Sequence, residues 1–353
     1  MNDLRRTRGR WAAITGAVLA LLAAVAVPLA GVSGATTPIT TGSDHDGAVP
    51  AAAGGSQPTA LAAPYEYLGW GDPQAPADVI SATGIHDLTL AFILAHKGCH
   101  PEWDGSRPLL GGSDAAAIAA VRSAGGDVDV SIGGWSGSKL GAACKTVSAL
   151  TAAYQEVVED YGLSAIDIDI EHTEFTKTAV RQRVIEALAD LQQEDQTLEI
   201  SVTFGTNETG PDADGEAMLE QAAALGFQPY AWTIMPFDFG APVSDMGTVS
   251  IQAAEGLETD IASAYGESAA EAYAHLGISS MNGETDETDE TVSVADFQQI
   301  LDFAETEHLA RLTFWAVNRD RPCAAGLSTQ AGSCSGIDQT AYAFTDLLSE
   351  YTA

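Results

Sequence analysis

Residues 164–171 read Ser164-Ala165-Ile166-Asp167-Ile168-Asp169-Ile170-Glu171, and this stretch decides the fold. At the two-residue period of a strand, Ile166, Ile168 and Ile170 face one way and Asp167, Asp169 and Glu171 the other. An isoleucine face needs apolar cover. In a closed barrel one face of each strand meets the outer helices and the other points inside. The acids are therefore expected to stack in a barrel interior and rise toward the C-terminal end, where barrel active sites lie. The alternative is an edge strand with its acids in solvent, which fits poorly with an all-isoleucine opposite face. Residues two apart on a strand are about 6–7 Å apart along its axis. Three anions at that spacing cannot all stay ionised in a dry interior. At least one must hold a proton near neutral pH, as an acid catalyst of glycoside cleavage requires.

The same alternation of strand and helix patterns extends in both directions. Apolar strand-like runs occur at 65–70, 88–95, 128–133, 165–171, 198–204, 231–238, 276–281 and 312–318. Helical spacing occurs between them, at about 146–161, 176–194, 215–225, 249–274, 294–308 and 338–349. One further helix is expected from Asp114, as its N-cap, to Gly125 as its stop. Strands alternating with helices predict parallel βα units. Eight of them suit an α/β fold closed as a (β/α)8 TIM barrel. An open doubly wound sheet is less favoured, because no glycine-rich phosphate loop follows the first strand.

The chain before residue 64 reads differently. Arg5, Arg6, Arg8 and Arg10 precede an uncharged apolar run at 11–32 and the small residues Ser33-Gly34-Ala35. This is the pattern of a secretory signal peptide, expected at 1–35. The apolar run is long enough to span a bilayer, so an uncleaved segment would anchor the chain to a membrane. Either way the rest is expected outside the cytoplasm. Residues 36–63 are rich in Ala, Gly, Thr, Ser and Pro without periodicity, and are expected to be a flexible linker to a catalytic domain at 64–353.

The 353 residues include 49 acidic and 15 basic ones, a formal net charge of −34. Nucleic acid and anionic membrane surfaces need a basic patch and are excluded as partners. A neutral polysaccharide is compatible. The four cysteines include no CxxC pair and no neighbouring histidine cluster, so no metal is expected. An exported chain with an even count suggests disulfides, and four cysteines allow three pairings. The short Gly- and Ser-rich span from Cys323 to Cys334 favours that pair and leaves Cys99 with Cys144.

The strand with the acids resembles the signature Asp-Gly-x-Asp-x-Asp-x-Glu of glycoside hydrolase family 18, the chitinase family. Asp167, Asp169 and Glu171 match its last three acids, while Ser164 and Ala165 stand where Asp and Gly are usual. Ser131-Ile132-Gly133-Gly134 resembles the family's Ser-x-Gly-Gly motif, and Trp135 follows where many members place an aromatic beside the sugar. Met235-Pro236-Phe237-Asp238 resembles Met-x-Tyr-Asp, with Phe237 replacing the tyrosine. The run from Phe314 to Asp320 resembles the last barrel strand, with Trp315 as the floor of the sugar site, and Ala91-Phe92 fits strand two. The motifs occur in the family's order.

The resemblance implies a secreted, monomeric chitinase without a cofactor, acting on chitin or another N-acetylglucosamine polysaccharide. Its mechanism is retaining and substrate-assisted. Glu171 would protonate the glycosidic oxygen and later activate water. Asp169 would orient the substrate's acetamido group, and Asp167 would share a proton or hydrogen bond with Asp169. Phe237 lacks the hydroxyl with which the family's tyrosine holds the acetamido oxygen. An endo-β-N-acetylglucosaminidase acting on N-glycans and a non-catalytic chitin-binding barrel are the alternatives. Trp70, Trp103 and Trp232 carry no motif and are expected in core or loop packing. His172 is expected to point away from the Glu171 face. The run 284–290 reads as a solvated acidic loop, without the spacing of a calcium loop.

Overall fold

The structure, a computed structural model, describes residues 59–240, 242–287, 289–326 and 332–352. The expected signal segment and residues 36–58 of the expected linker lie outside the described residues. The first half comprises β1 (Tyr65–Tyr67), α1 (Pro76–Thr83), β2 (Asp87–His96), β3 (His100–Trp103), α2 (Ser113–Ser123), β4 (Asp127–Gly133), α3 (Leu140–Ala143) and α4 (Val147–Tyr161). Next come β5 (Ala165–Asp169), α5 (His172–Thr176), α6 (Thr178–Glu194), β6 (Glu199–Gly205), α7 (Ala213–Leu225) and β7 (Ala231–Met235). The last part holds α8 (Met246–Tyr265), α9 (Ala269–Tyr273), β8 (Leu276–Met281), β9 (Gly283–Glu284), β10 (Thr291–Val292), α10 (Val294–Glu307), β11 (Arg311–Trp315) and α11 (Ala343–Leu348).

Eight strands follow one another around the wall in the order β1-β2-β4-β5-β6-β7-β8-β11, every neighbouring pair parallel. Residues 59–63 stitch the seam between β11 and β1. Leu312 N–H donates to Leu61 O at 2.9 Å, and Thr313 Oγ1 to Ala63 O at 2.7 Å. Ala60, Leu61 and Ala63 are buried. The ordered domain therefore begins before residue 64, a correction to the expected linker boundary. These small apolar residues are tied to the barrel by hydrogen bonds from and to its strands rather than by any periodicity of their own.

All eight expected strands form. Those expected at 65–70, 165–171, 231–238 and 312–318 end three or two residues early, at Tyr67, Asp169, Met235 and Trp315, where their ladders stop. The residues beyond them turn out over the C-terminal face as loops. β3 is a short antiparallel addition to β2 that the sequence reading missed, as it missed α1, α3 and α5.

The helices have local causes. Thr146 caps α4 through its Oγ1, which accepts from Ala149 N–H, and Gly162 ends it at φ 57°. The long helix expected at 249–274 is broken by Gly266 at φ 72°, after which a Ser268–Glu271 capping box starts α9. Asp114 is not the N-cap of α2; Gly112 is, and Asp114 is buried in the first turn, held by Arg107. The core lies between wall and helices. Ile166, Ile168 and Ile170 are buried there with Leu150, Tyr154 and Val157 of α4 and Val184, Ile185 and Leu188 of α6. Trp103 and Trp232 are fully buried, whereas Trp70 is exposed. Both disulfides form as expected, Cys99–Cys144 and Cys323–Cys334.

Candidate active site

The alternation of β5 does place its acids inside the barrel, and they have unlike surroundings. Asp167 is fully buried with both oxygens filled. Its Oδ2 accepts from Tyr65 Oη at 2.7 Å and Ser131 Oγ at 2.6 Å. Its Oδ1 accepts from Thr203 Oγ1 at 2.5 Å and from Arg311 Nη1 at 2.6 Å. Arg311, also fully buried, extends its Nη2 to Thr89 Oγ1 at 3.2 Å and Asp129 Oδ2 at 3.4 Å. Burial pushes Asp129 up, against the pull of Arg311. This polar layer crosses the barrel beneath the site. The four donors that fill Asp167 do not include Asp169, with which it was expected to share a proton or hydrogen bond.

One step higher the donors stop. Asp169 is 4% exposed, and its Oδ1 has no hydrogen-bond partner among the described residues. Burial, then the charges of Glu171 and Asp167, push its carboxyl well above the usual range, with Lys139 and Arg311 opposing. Glu171 follows just beyond the end of β5 and is half-buried. Burial raises it to about 7, opposed by Lys139 and assisted by Asp238. Both acids are thus set to carry protons at pH values where ordinary carboxyls have lost them.

The Ser-x-Gly-Gly segment packs against them. Gly133, at φ 126°, lies so close to β5 that a Cβ would sit 2.0 Å from Asp169 O. At Gly134, φ 80°, a Cβ would meet the Phe92 ring at 2.8 Å, and its N–H donates to Asp169 O at 2.9 Å. Only glycine fits either position. Trp135 is 65% exposed, with its ring centroid 3.7 Å from that of His172. His172 itself is exposed at φ 50°, beside the acid strand's end.

Aromatic rings form the floor. Phe92 and Trp315 stack at 5.4 Å with 16° between their planes. Tyr65 and Tyr67 pack against both, at 5.9–6.4 Å. Tyr67 is fixed by its Oη donating to Asp104 Oδ1 at 2.8 Å. Neither tyrosine nor Asp104 was singled out in the sequence. Met235 is half-buried at the end of β7, and its carbonyl accepts from Phe237 N–H at 3.0 Å. The Phe237 ring packs on the main core. Asp238, at φ 56°, has its backbone held by Glu290 Oε1 at 2.6 Å, and its own Oδ1 accepts from Asp286 N–H at 3.0 Å. The run 284–290 is therefore not simply solvated: Glu290 is 1% exposed and anchors the segment after β7.

Asp129, Lys139 and Arg311 are the other site residues the sequence reading missed. Asp129 carried a usable signal, since Val128-Asp129-Val130-Ser131 alternates as β5 does. Arg311 and Lys139 carried none.

No family model matches the chain. Over 284 residues it is 26% identical to a probable bifunctional chitinase/lysozyme of Escherichia coli, covering 76% of this chain and 32% of that protein. Over 254 residues it is 27% identical to endochitinase 11 of Metarhizium anisopliae, covering 68% of this chain and 48% of that one. The chain thus spans under half the length of these curated relatives. The catalytic domain of a hyperthermophilic Pyrococcus furiosus chitinase superposes with a TM-score of 0.74 at 26% identity, covering 84% of this chain and 98% of that one. Mutants of the same archaeon's chitinase domain have been crystallised with chito-oligosaccharides. In its parallel barrel and over most of its described length, the chain is therefore similar to these chitinases in sequence and in fold.

Proposed function

We propose that this chain is an exported chitinase that cleaves β-1,4-linked N-acetylglucosamine with retention, the substrate's own acetamido group acting as nucleophile. The observation that carries it is the buried Asp169 Oδ1 without a donor, beside a Glu171 whose proton is retained to about pH 7. An orphaned acceptor in a dry site is costly unless a ligand fills it. An acetamido N–H does so. With that hydrogen bond made, the acetamido oxygen attacks C1 and Glu171 gives its proton to the departing glycosidic oxygen. The C1–O bond breaks and an oxazolinium ion forms. Glu171, now a carboxylate, takes a proton from water as the water opens that ring, and the β configuration returns. Asp167, saturated by four donors, holds the barrel floor rather than the substrate.

The Phe92–Trp315 stack offers an apolar face for a sugar ring. The relatives' names, and the chito-oligosaccharides bound to one of them, support chitin as the substrate class. The N-terminal pattern and two disulfides support export.

The test is to incubate the protein with chitin oligosaccharides and with a high-mannose glycopeptide, and to read the first products by proton NMR. A β-anomeric chito-oligosaccharide is expected. An initial α product overturns the mechanism. Cleavage of the glycopeptide alone makes the chain an endo-β-N-acetylglucosaminidase, and binding without cleavage makes it a sugar-binding barrel.

A further inference from the structure

Lys139 plays no part in the chemistry just described, yet it lies behind it. The residue follows the glycine turn after β4 and is 4% exposed. Its ammonium donates to Gly133 O at 3.2 Å, to Ser136 O at 2.6 Å and to Gly134 O. It forms no ion pair within contact distance among the described residues, and the charges it faces are Glu174, Asp169 and Glu171. Two of these are the site acids on and just after β5. The third, on α5, is buried and accepts from Gly141 N–H at 2.7 Å, which seats the start of α3.

A buried ammonium costs several kcal/mol unless it is compensated. Tying down a turn does not need that cost, because an amide donates hydrogen bonds as well. What an amide cannot supply is charge. The turn that Lys139 binds is the one whose Gly133 and Gly134 press on Asp169 and Phe92. The positive charge is thereby fixed against the acid strand by backbone packing, not by a flexible tether.

We propose that Lys139 is a positioning residue for the acid strand, locking the glycine turn beside it and supplying the fixed positive charge that Glu171 faces once its proton is gone. The consequence follows from the proposed cycle, on which this inference rests. Glu171 must protonate a leaving group and then act as a base. Burial alone would hold its proton too tightly for the second task. Lys139 opposes burial at Glu171, while Asp238, across the site, works with it. At Asp169 the opposing charges are Lys139 and Arg311, against Glu171 and Asp167.

The experiment compares Lys139→Gln, which keeps a donor and loses the charge, with Lys139→Arg, which keeps the charge. The Glu171 carboxyl is followed by carbon-13 NMR, its signal assigned by its loss in Glu171→Gln. In Lys139→Gln it is expected to titrate about one pH unit higher than in the wild type. The alkaline limb of kcat/KM on a chitin oligosaccharide is expected to rise equally, with kcat falling and KM changing little. Lys139→Arg is expected to restore both. A Glu171 that titrates at the wild-type pH in Lys139→Gln overturns the proposal. The NMR titration does not depend on turnover, so a protein that cleaves no chitin oligosaccharide refutes the proposed function while the coupling is still read. If Lys139→Gln does not fold, the reciprocal measurement decides. The Lys139 side chain must titrate lower in Glu171→Gln than in the wild type, and no change refutes the coupling.

Discussion

Asp167 and Asp169 stand two residues apart on one face of β5, both buried, and their surroundings are opposite. Asp167 receives four donors, one of them the guanidinium of Arg311. Asp169 is left with an oxygen that nothing among the described residues satisfies. A buried carboxylate with full hydrogen bonding and a paired cation is a structural element, because removing one partner strands the other. A buried carboxyl with an unpartnered oxygen at the C-terminal end of the barrel strand has an acceptor left for a ligand's donor. The two acids look alike in the sequence, and the cross-barrel partners separate them.

The largest effect is expected above the pair, at Glu171. Glu171→Gln should lower kcat by about 10²–10⁴-fold, the usual contribution of a positioned acid. Its melting temperature should not fall, because a carboxyl kept from ionising by burial stabilises nothing in its charged form. A variant that keeps a tenth of the wild-type rate on a chitin oligosaccharide would remove Glu171 from the mechanism.

Next comes the partner of Asp167. Arg311→Met should cost about 3–5 kcal/mol of stability, since it leaves Asp167 and Asp129 as buried acids without their cation. Denaturant unfolding measures this directly. A loss below 1 kcal/mol would mean that the polar layer relaxes, and that Asp167 is no better held than Asp169.

The comparison itself is broken or kept by two matched substitutions. Asp169→Asn should lower kcat by about ten- to a hundredfold, as for losing a hydrogen bond to a charge-developing group, with an unchanged melting temperature. Asp167→Asn should lower the melting temperature and cost less in kcat, because one of its accepting oxygens becomes a donor facing donors. The reverse order would exchange the two roles.

The smallest effect concerns a third buried carboxyl, between Tyr65 and Tyr67 on β1 and so on the opposite face of that strand. Glu66 is fully buried and neither oxygen has a partner among the described residues; burial raises it from 4.5 to about 8. Between those pH values the folded chain holds a proton that the unfolded chain has lost. Stability from this group is therefore highest on the acid side and falls as pH rises through about 8. Glu66→Met should raise the melting temperature at pH 8 and have less effect at pH 5. An equal gain at both would show that Glu66 is not protonated in the fold.

What the sequence determined by itself was the barrel and the inward face of its acids. Both rest on local periodicity: the two-residue alternation of Ile166 to Glu171 and the helical runs between strands involve only neighbours along the chain. The glycine motif was legible for the same reason, although the neighbours that forbid a Cβ at Gly133 and Gly134 were not. The tertiary structure alone decided which acid is paired. Arg311 meets Asp167 from 144 positions away, and room for it comes from Gly277, where a Cβ would lie 3.0 Å from that of Arg311. Lys139 reaches the acids only through the packing of a turn, and residues 59–63 became part of the barrel only through hydrogen bonds to β2, β6 and β11. Such contacts depend on closure of the sheet, which brings distant strands face to face, and no pattern within one strand encodes its partner across the barrel.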